Sequence, residues 1–240
     1  MKSFLIAPFW NALLLIVCFG CASQKADPDP VQHLNSSFEL SRNERVKLSR
    51  EAEAGNADAA FRLHLFYELT TSDRRKAEKW LKLSAELGQT AAEYSYARRL
   101  RDSSRGEDHI KSVEFFMRAA RKGDRHAEVA LADLLESGRG SPMDLGSARM
   151  WYEKAARAGD YDAGEKLIEF LATGKGGPVD RSMAYAWANL LYSRLRGSVT
   201  GESVLATKQT LRSGLTAEEL QRSEKELAVL EKTVLPEADG

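Results

Sequence analysis

The sequence predicts an all-α fold, a right-handed α-solenoid of about four helix-turn-helix repeats with helical caps at both ends. Three observations carry this. Gly55, Gly88, Gly123 and Gly159 stand 33, 35 and 36 residues apart. An alanine stands four residues after each (Ala59, Ala92, Ala127, Ala163), and Leu63, Tyr96, Leu131 or Leu167 eight after. Steps of four keep these side chains on one helix face, and alanine lets a neighbouring helix approach closely. Before the last three glycines a second pattern repeats: Ala85, Ala120 and Ala156 at three residues, Trp80, Phe115 and Trp151 at eight, Ala77, Ser112 and Ala148 at eleven, and Asp73, Asp108 and Asp144 at fifteen. Asp180, Ala184 and Trp187 begin a fourth copy.

Each repeat therefore holds two helices. The aspartates suit helix N-caps and the glycines suit helix ends, where a left-handed residue is needed. The first helices (A) are expected over 57–68, 90–101, 125–137 and 161–173, and the second (B) over 74–87, 109–122, 145–158 and 181–195. A single pair cannot cover its own apolar face, but stacked pairs can. Ahead of the array, 41–54 can form a half-unit with Leu48 and Ala52 inward. Behind it a helix is expected over 202–212. Thr216-Ala217-Glu218-Glu219 is a capping box opening another to about 232, with Leu220, Leu227 and Leu230 near helical spacing and Lys225 and Glu226 on its solvated side.

Gly138-Arg139-Gly140-Ser141-Pro142 and Gly174-Lys175-Gly176-Gly177-Pro178 fall between A and B helices, each just ahead of an aspartate cap. Neither has the lysine followed by serine or threonine of a phosphate loop, and Asp144 and Asp180 put negative charge where a phosphate would sit. They read as turns. Ala148, Trp151-Tyr152-Glu153-Lys154-Ala155-Ala156-Arg157-Ala158-Gly159 and the Gly-x-Gly-x-Pro-x-Asp loops resemble the Sel-1-like repeat family, relatives of tetratricopeptide repeats, over about residues 45 to 197. The loops Thr70–Arg74 and Asp102–Glu107 lack the paired glycines and are expected to differ in shape.

The N-terminus reads as an export signal over 1–20: Lys2, then an apolar run over 4–17 that Pro8 and Asn11 interrupt, short for a span of about 20 residues. Cys18 and Cys21 have C-x-x-C spacing, but an export signal without a second pair is the wrong setting for zinc or redox chemistry. Cys18-Phe19-Gly20-Cys21 resembles a bacterial lipobox, with Cys18 and Phe19 departing from the usual residues. The resemblance makes Cys21 the lipidation site, and the absence of aspartate at Ala22 and Ser23 implies the outer membrane. The alternative is cleavage near Ala22, giving a soluble periplasmic or secreted protein. Residues 21–40 then form a lipidated cysteine and tether, with two Asp-Pro pairs and a reach of about 50 Å. The repeat solenoid is assigned to 41–197, capping helices to 198–235 and a tail to 236–240.

Lysine plus arginine number 35, as do aspartate plus glutamate, so no basic field invites nucleic acid. No H-E-x-x-H, G-x-S-x-G or S-x-x-K is present. His33, His64, His109 and His126 are scattered and read as surface or packing residues, and the Trp80, Phe115, Trp151, Trp187 series as core. No enzyme activity, cofactor or metal is expected. Penicillin binding, associated with disulfide-rich relatives, would need cysteine pairs missing here. The resemblance implies a protein-binding scaffold, facing the periplasm on the outer membrane, with a groove built mainly from A helices. Arg62, Arg98, His126, Asp133, Lys166 and Glu169 are its candidate partner-binding residues, positive first and negative later. A second reading is a module for envelope glycan or another small ligand, which predicts a concave aromatic pocket with Tyr67 and Tyr94 as its candidates.

Overall fold

The computed structural model describes residues 39–234, all within one unit that begins at Phe38. Every regular element among them is helical. The signal, Cys21 and most of the tether lie outside the described residues, as does His33. Helix α1 (Arg42–Glu53) opens on a capping box in which the Ser41 hydroxyl accepts from Glu44 N–H and the Glu44 carboxylate accepts from Ser41 N–H at 2.8 Å. It buries Leu48 and Ala52, as the pattern requires. Four A–B pairs follow: α2 (Ala57–Leu65) with α3 (Arg74–Glu86), α4 (Thr90–Arg101) with α5 (Gly106–Arg121), α6 (Arg125–Ser137) with α7 (Leu145–Arg157), and α8 (Tyr161–Thr173) with α9 (Arg181–Leu195). Consecutive helices pack on one another, the arrangement of an α-solenoid, and α10 (Val199–Ser213) and α11 (Ala217–Thr233) both close over α9.

The repeated glycines end their helices with φ of +101°, +92°, +89° and +91° at Gly55, Gly88, Gly123 and Gly159. The next residue in each case caps the following helix. Asn56, Gln89, Asp124 and Asp160 accept from the N–H of Ala59, Ala92, Ala127 and Ala163. The same alanines are buried, so one short turn fixes both the start of each A helix and the face it turns inward. Asp73, Asp144 and Asp180 cap B helices as expected.

Asp108 does not. Helix α5 starts early, at Gly106, which leaves Asp108 inside the first turn, where its buried carboxylate accepts from Ser103 Oγ at 2.7 Å and Arg105 Nε at 2.8 Å. Trp151 is only half-buried. Its neighbour Tyr152 fills the interior of α7 instead, while Trp80, Phe115 and Trp187 are buried as predicted. The first A helix does not run evenly to 68: from Phe66 to Thr70 it widens into a π-helical turn. Helix α10 begins at Val199 rather than 202, because Ser198 caps it. Leu230 is buried, and Lys225 is exposed as expected, but Glu226 is half-buried beside Arg222 at 2.8 Å, not simply solvated.

Two buried carboxylates tie the middle repeats together. Glu93 of α4 meets Arg118 at 2.7 Å and Lys122 at 2.8 Å, both at the end of α5. Glu128 of α6 meets Lys154 of α7 at 2.7 Å. The cations also donate to carbonyls ending the previous B helix or its turn: Arg118 to Ala85, Lys122 to Gly88 and Lys154 to Ala120. Each thus neutralises a buried acid and adds a side-chain donor to a carbonyl at the end of the previous B helix or its turn.

The glycine-rich loops are close-packed turns. Gly138 and Gly174 end α6 and α8 in the left-handed conformation. A Cβ at Gly140 would lie 2.3 Å from the His109 carbonyl oxygen, and one at Gly176 would lie 2.1 Å from that of Leu145. Each loop therefore rests on the B helix of the preceding repeat at a distance only glycine permits.

Candidate functional site

Helical spacing decides which A-helix side chains share a face. On α6, His126, Val129 and Asp133 follow steps of three and four, as do Asp162, Glu165, Lys166 and Glu169 on α8. Val129 and Asp133, the four α8 residues, and Ser203, Val204 and Thr207 of α10 line one open pocket of about 670 Å³. Ile168, Ala172 and Thr173 complete its wall. Thus α10, beyond covering the end of the array, also supplies one side of the pocket.

At the rim a network joins α6, α7, α8 and the loop after α8. The Tyr152 hydroxyl lies 2.6 Å from Asp133 Oδ1 and 2.8 Å from Glu136 Oε2. One phenolic proton faces two carboxylates, so it serves them alternately. Lys166 and Lys175 approach Glu136 at 3.2 and 3.4 Å, and Lys175 also pairs with Glu169. Burial opposes ionisation of Glu136, yet the hydrogen bonds from Tyr152 and Lys166 outweigh it and hold its carboxyl below the ordinary range. Burial, then the Asp133 carboxylate, pushes the Tyr152 phenol upward, so it stays a donor.

Asp162 and Glu165 differ from these. No hydrogen bond or ion pair joins either carboxylate to a basic side chain among the described residues. Glu165 Oε1 is shielded from solvent and has no hydrogen-bond partner. Burial, then the charge of Asp162, raises its carboxyl above the ordinary value.

Toward the N-terminal end the same face changes sign. Tyr94 of α4 has Arg98 over its ring at 5.8 Å and the His126 ring at 5.9 Å. Of the six residues read from sequence, Arg98 and His126 meet at Tyr94, and Asp133, Lys166 and Glu169 meet at the pocket. Arg62, on α2, joins neither group. Arg62, Arg98, His126, Asp133 and Glu169 are exposed, whereas Lys166 is partly covered because Glu136 holds it. Neither Tyr67 nor Tyr94 lines this pocket. Tyr67 lies against Phe66 with Lys76 over its ring at 5.2 Å, and the pocket lining contains no aromatic residue.

Among the described residues no group of three or more histidine, cysteine, aspartate or glutamate side chains is placed to hold a metal ion, and no helix is long and apolar enough to cross a membrane. Repeat boundaries set by the glycines and their caps agree with four successive matches to the Sel1 repeat family model, at 57–89, 90–124, 125–160 and 161–193. The chain belongs to the Sel1 repeat family. Sel1 repeat proteins generally mediate protein–protein interactions, and theirs is a scaffold fold, not typically an enzymatic one. The chain is similar to the crystal structure of c5321, a protective antigen of uropathogenic Escherichia coli with an SLR fold, at 28% identity and a TM-score of 0.63 over 78% of this chain; it spans 40% of that one. A Sel1 repeat protein from Oxalobacter formigenes shares the fold at 23% identity and a TM-score of 0.59, over 84% of this chain and 85% of that one. No curated protein matches the chain.

Asp162, Glu165 and the α10 side chains were missed by the sequence reading. Asp162 stands three residues after Gly159, as the candidate His126 does after Gly123, so that signal was available. Glu165 and Thr207 gave none, because their placement depends on α10 folding back beside α8.

Proposed function

We propose that this Sel1 repeat chain is an exported scaffold, tethered to the membrane through lipid on Cys21, that binds an envelope or extracellular protein partner through the face built from its A helices. The observation that supports the binding face is the run of exposed and half-buried, chemically varied side chains from Arg98 and Tyr94 through His126 to the pocket at α6, α8 and α10. The interior of the array is packed with alanine, leucine and aromatic side chains, and this face carries charges of both signs with which to select a partner.

Two measurements test the reading. Intact mass of the chain from bacterial membranes should begin at Cys21 with acyl chains added, and Cys21→Ala should move it to the soluble fraction. An unacylated soluble chain would sink the tether. Photo-crosslinking residues at Arg98 and at Met150, which is exposed on B helix α7, test the face. Partner crosslinks should form in the envelope from position 98 and not from 150. Equal crosslinking from both positions would remove the A-helix face from the proposal.

A further inference from the structure

The pocket between α6, α8 and α10 holds more acid than the fold itself uses. Asp133 is occupied by the Tyr152 hydroxyl, Glu136 by Lys166 and Lys175, and Glu169 by Lys175. Among the other described residues, a carboxylate with an oxygen shielded from water has a basic side chain beside it, as Glu68 has Arg99 and Glu226 has Arg222. Glu93 has Arg118 and Lys122, Glu128 has Lys154, and Asp108 has Ser103 and Arg105. Glu165 breaks that rule: its shielded oxygen has no partner, and the charge that acts on it is that of another acid, Asp162. An unpaired carboxylate in a partly dry wall costs the free protein stability, and a cation supplied from outside would remove that cost.

The rest of the wall limits the kind of cation. Val129, Ile168, Ala172 and Val204 line the same cavity, and Val129 and Ala172 keep part of their apolar surface open. A hydrated metal ion gains nothing from such a surface. A long side chain with an aliphatic stem and a charged head gains at both ends. The cavity, about 670 Å³, has room for one such side chain with the backbone that carries it.

We infer that this pocket receives a lysine or arginine side chain from an extended segment of the protein partner, its stem on Val129 and Ala172 and its head between Asp162 and Glu165. The inference rests on the A-helix face being the binding surface and deepens that reading. It also sets a direction: the basic residue lies toward the α10 end, and Arg98 and Arg62 favour acidic residues toward the other.

Phage-displayed random dodecapeptides selected on the intact mature chain supply the test. Selected peptides should be enriched in lysine or arginine beside an aliphatic residue. Their synthetic versions should bind Asp162→Asn/Glu165→Gln roughly ten- to hundredfold more weakly, the range for losing charge-assisted hydrogen bonds. Both replacements keep side-chain shape, and circular dichroism checks folding. Thr207→Arg is a second variant at an exposed α10 position lining the pocket, and its own cation should block the same peptides. Selection of nothing, of peptides without basic enrichment, or of basic peptides indifferent to both variants overturns the inference. Non-basic peptides that lose affinity on Arg62→Ala/Arg98→Ala would leave the A-helix face standing and the pocket assignment fallen. Spermidine binding as tightly as the peptides would replace a protein segment with a small polyamine as the occupant.

Discussion

The first two repeats and the last two share one plan but turn from A to B by different means. In the last two, a left-handed glycine ends the A helix and a second glycine lies against the preceding B helix. In the first, the A helix loosens into a π-helical turn and Ser72, not a glycine, takes a positive φ of 53°. In the second, Ser103, Arg105 and the buried Asp108 make a polar knot. The core divides too. Leu48, Ala52, Ala59, Ala60, Leu63 and Trp80 form a small cluster of their own, while everything from Leu81 onward joins a single larger one. Glycine turns let adjacent repeats approach backbone to backbone, whereas side-chain turns hold a repeat together without pressing it on its neighbour.

The sharpest way to break this comparison is to put the same methyl group in a glycine turn that presses on a neighbouring helix and in one that does not. At Gly55, φ is +101° and an added Cβ meets nothing within 4 Å, so Gly55→Ala should cost only backbone strain, about 1–2 kcal/mol. At Gly176, φ is +66° and the Cβ would overlap the Leu145 carbonyl as well, which adds an overpacking cost and brings the loss to about 3 kcal/mol or more. Urea unfolding of the two variants measures the difference. Equal losses would mean that the glycine loops do not couple repeats.

This contrast also shows what could be read in advance. Helix order, the glycine turns and the alanine face follow from local chemistry repeated four times, so period alone exposed them. The loops of the first two repeats were legible only as departures, because their conformations rest on single contacts such as Ser103 to Asp108. Trp151 was misplaced inward because its offset matches Trp80 and Trp187, whereas the choice between Trp151 and Tyr152 was made by partners on α6, Asp133 and Glu136. The pocket was half legible. Asp133, Lys166 and Glu169 came from repeat offsets, but its third wall comes from α10, which lies outside the repeat.

A second, smaller difference separates the middle of the array from its ends. Five residues after each repeated glycine stand Ala60, Glu93, Glu128 and Gly164, and three after each aromatic of the following B helix stand Leu83, Arg118, Lys154 and Leu190. Acid goes with base in the middle repeats, and small goes with apolar at the ends. Glu93→Ala should therefore cost about 2 kcal/mol, less than a fully buried pair because Arg118 and Lys122 keep 35% and 40% of their side chains exposed. Adding Arg118→Leu, which copies the apolar end solution, should recover about 1 kcal/mol of that loss. Strict additivity in thermal or urea unfolding would show that the two residues do not act as a pair.

The smallest effect concerns Glu165, and its sign differs from the others. Its carboxyl is raised in the folded chain, by burial and then by Asp162, so ionising it costs the native state more than the unfolded one. That penalty is absent at low pH, where the group is protonated in both states. It grows as pH rises through the ordinary carboxylate value of 4.5 and is complete above the folded value. Glu165→Gln should thus melt slightly higher than the parent at neutral pH, by roughly 1 °C, and the gap should close on acidification to about pH 3.5. Differential scanning calorimetry of both proteins across that range isolates the effect, because the carboxylates held low at Asp73, Asp144 and Glu136 titrate alike in each. The Glu93 pair stabilises the array, whereas Glu165 weakens it. A replacement that gains stability while losing affinity for basic peptides would mark Glu165 as kept for its partner rather than for the fold.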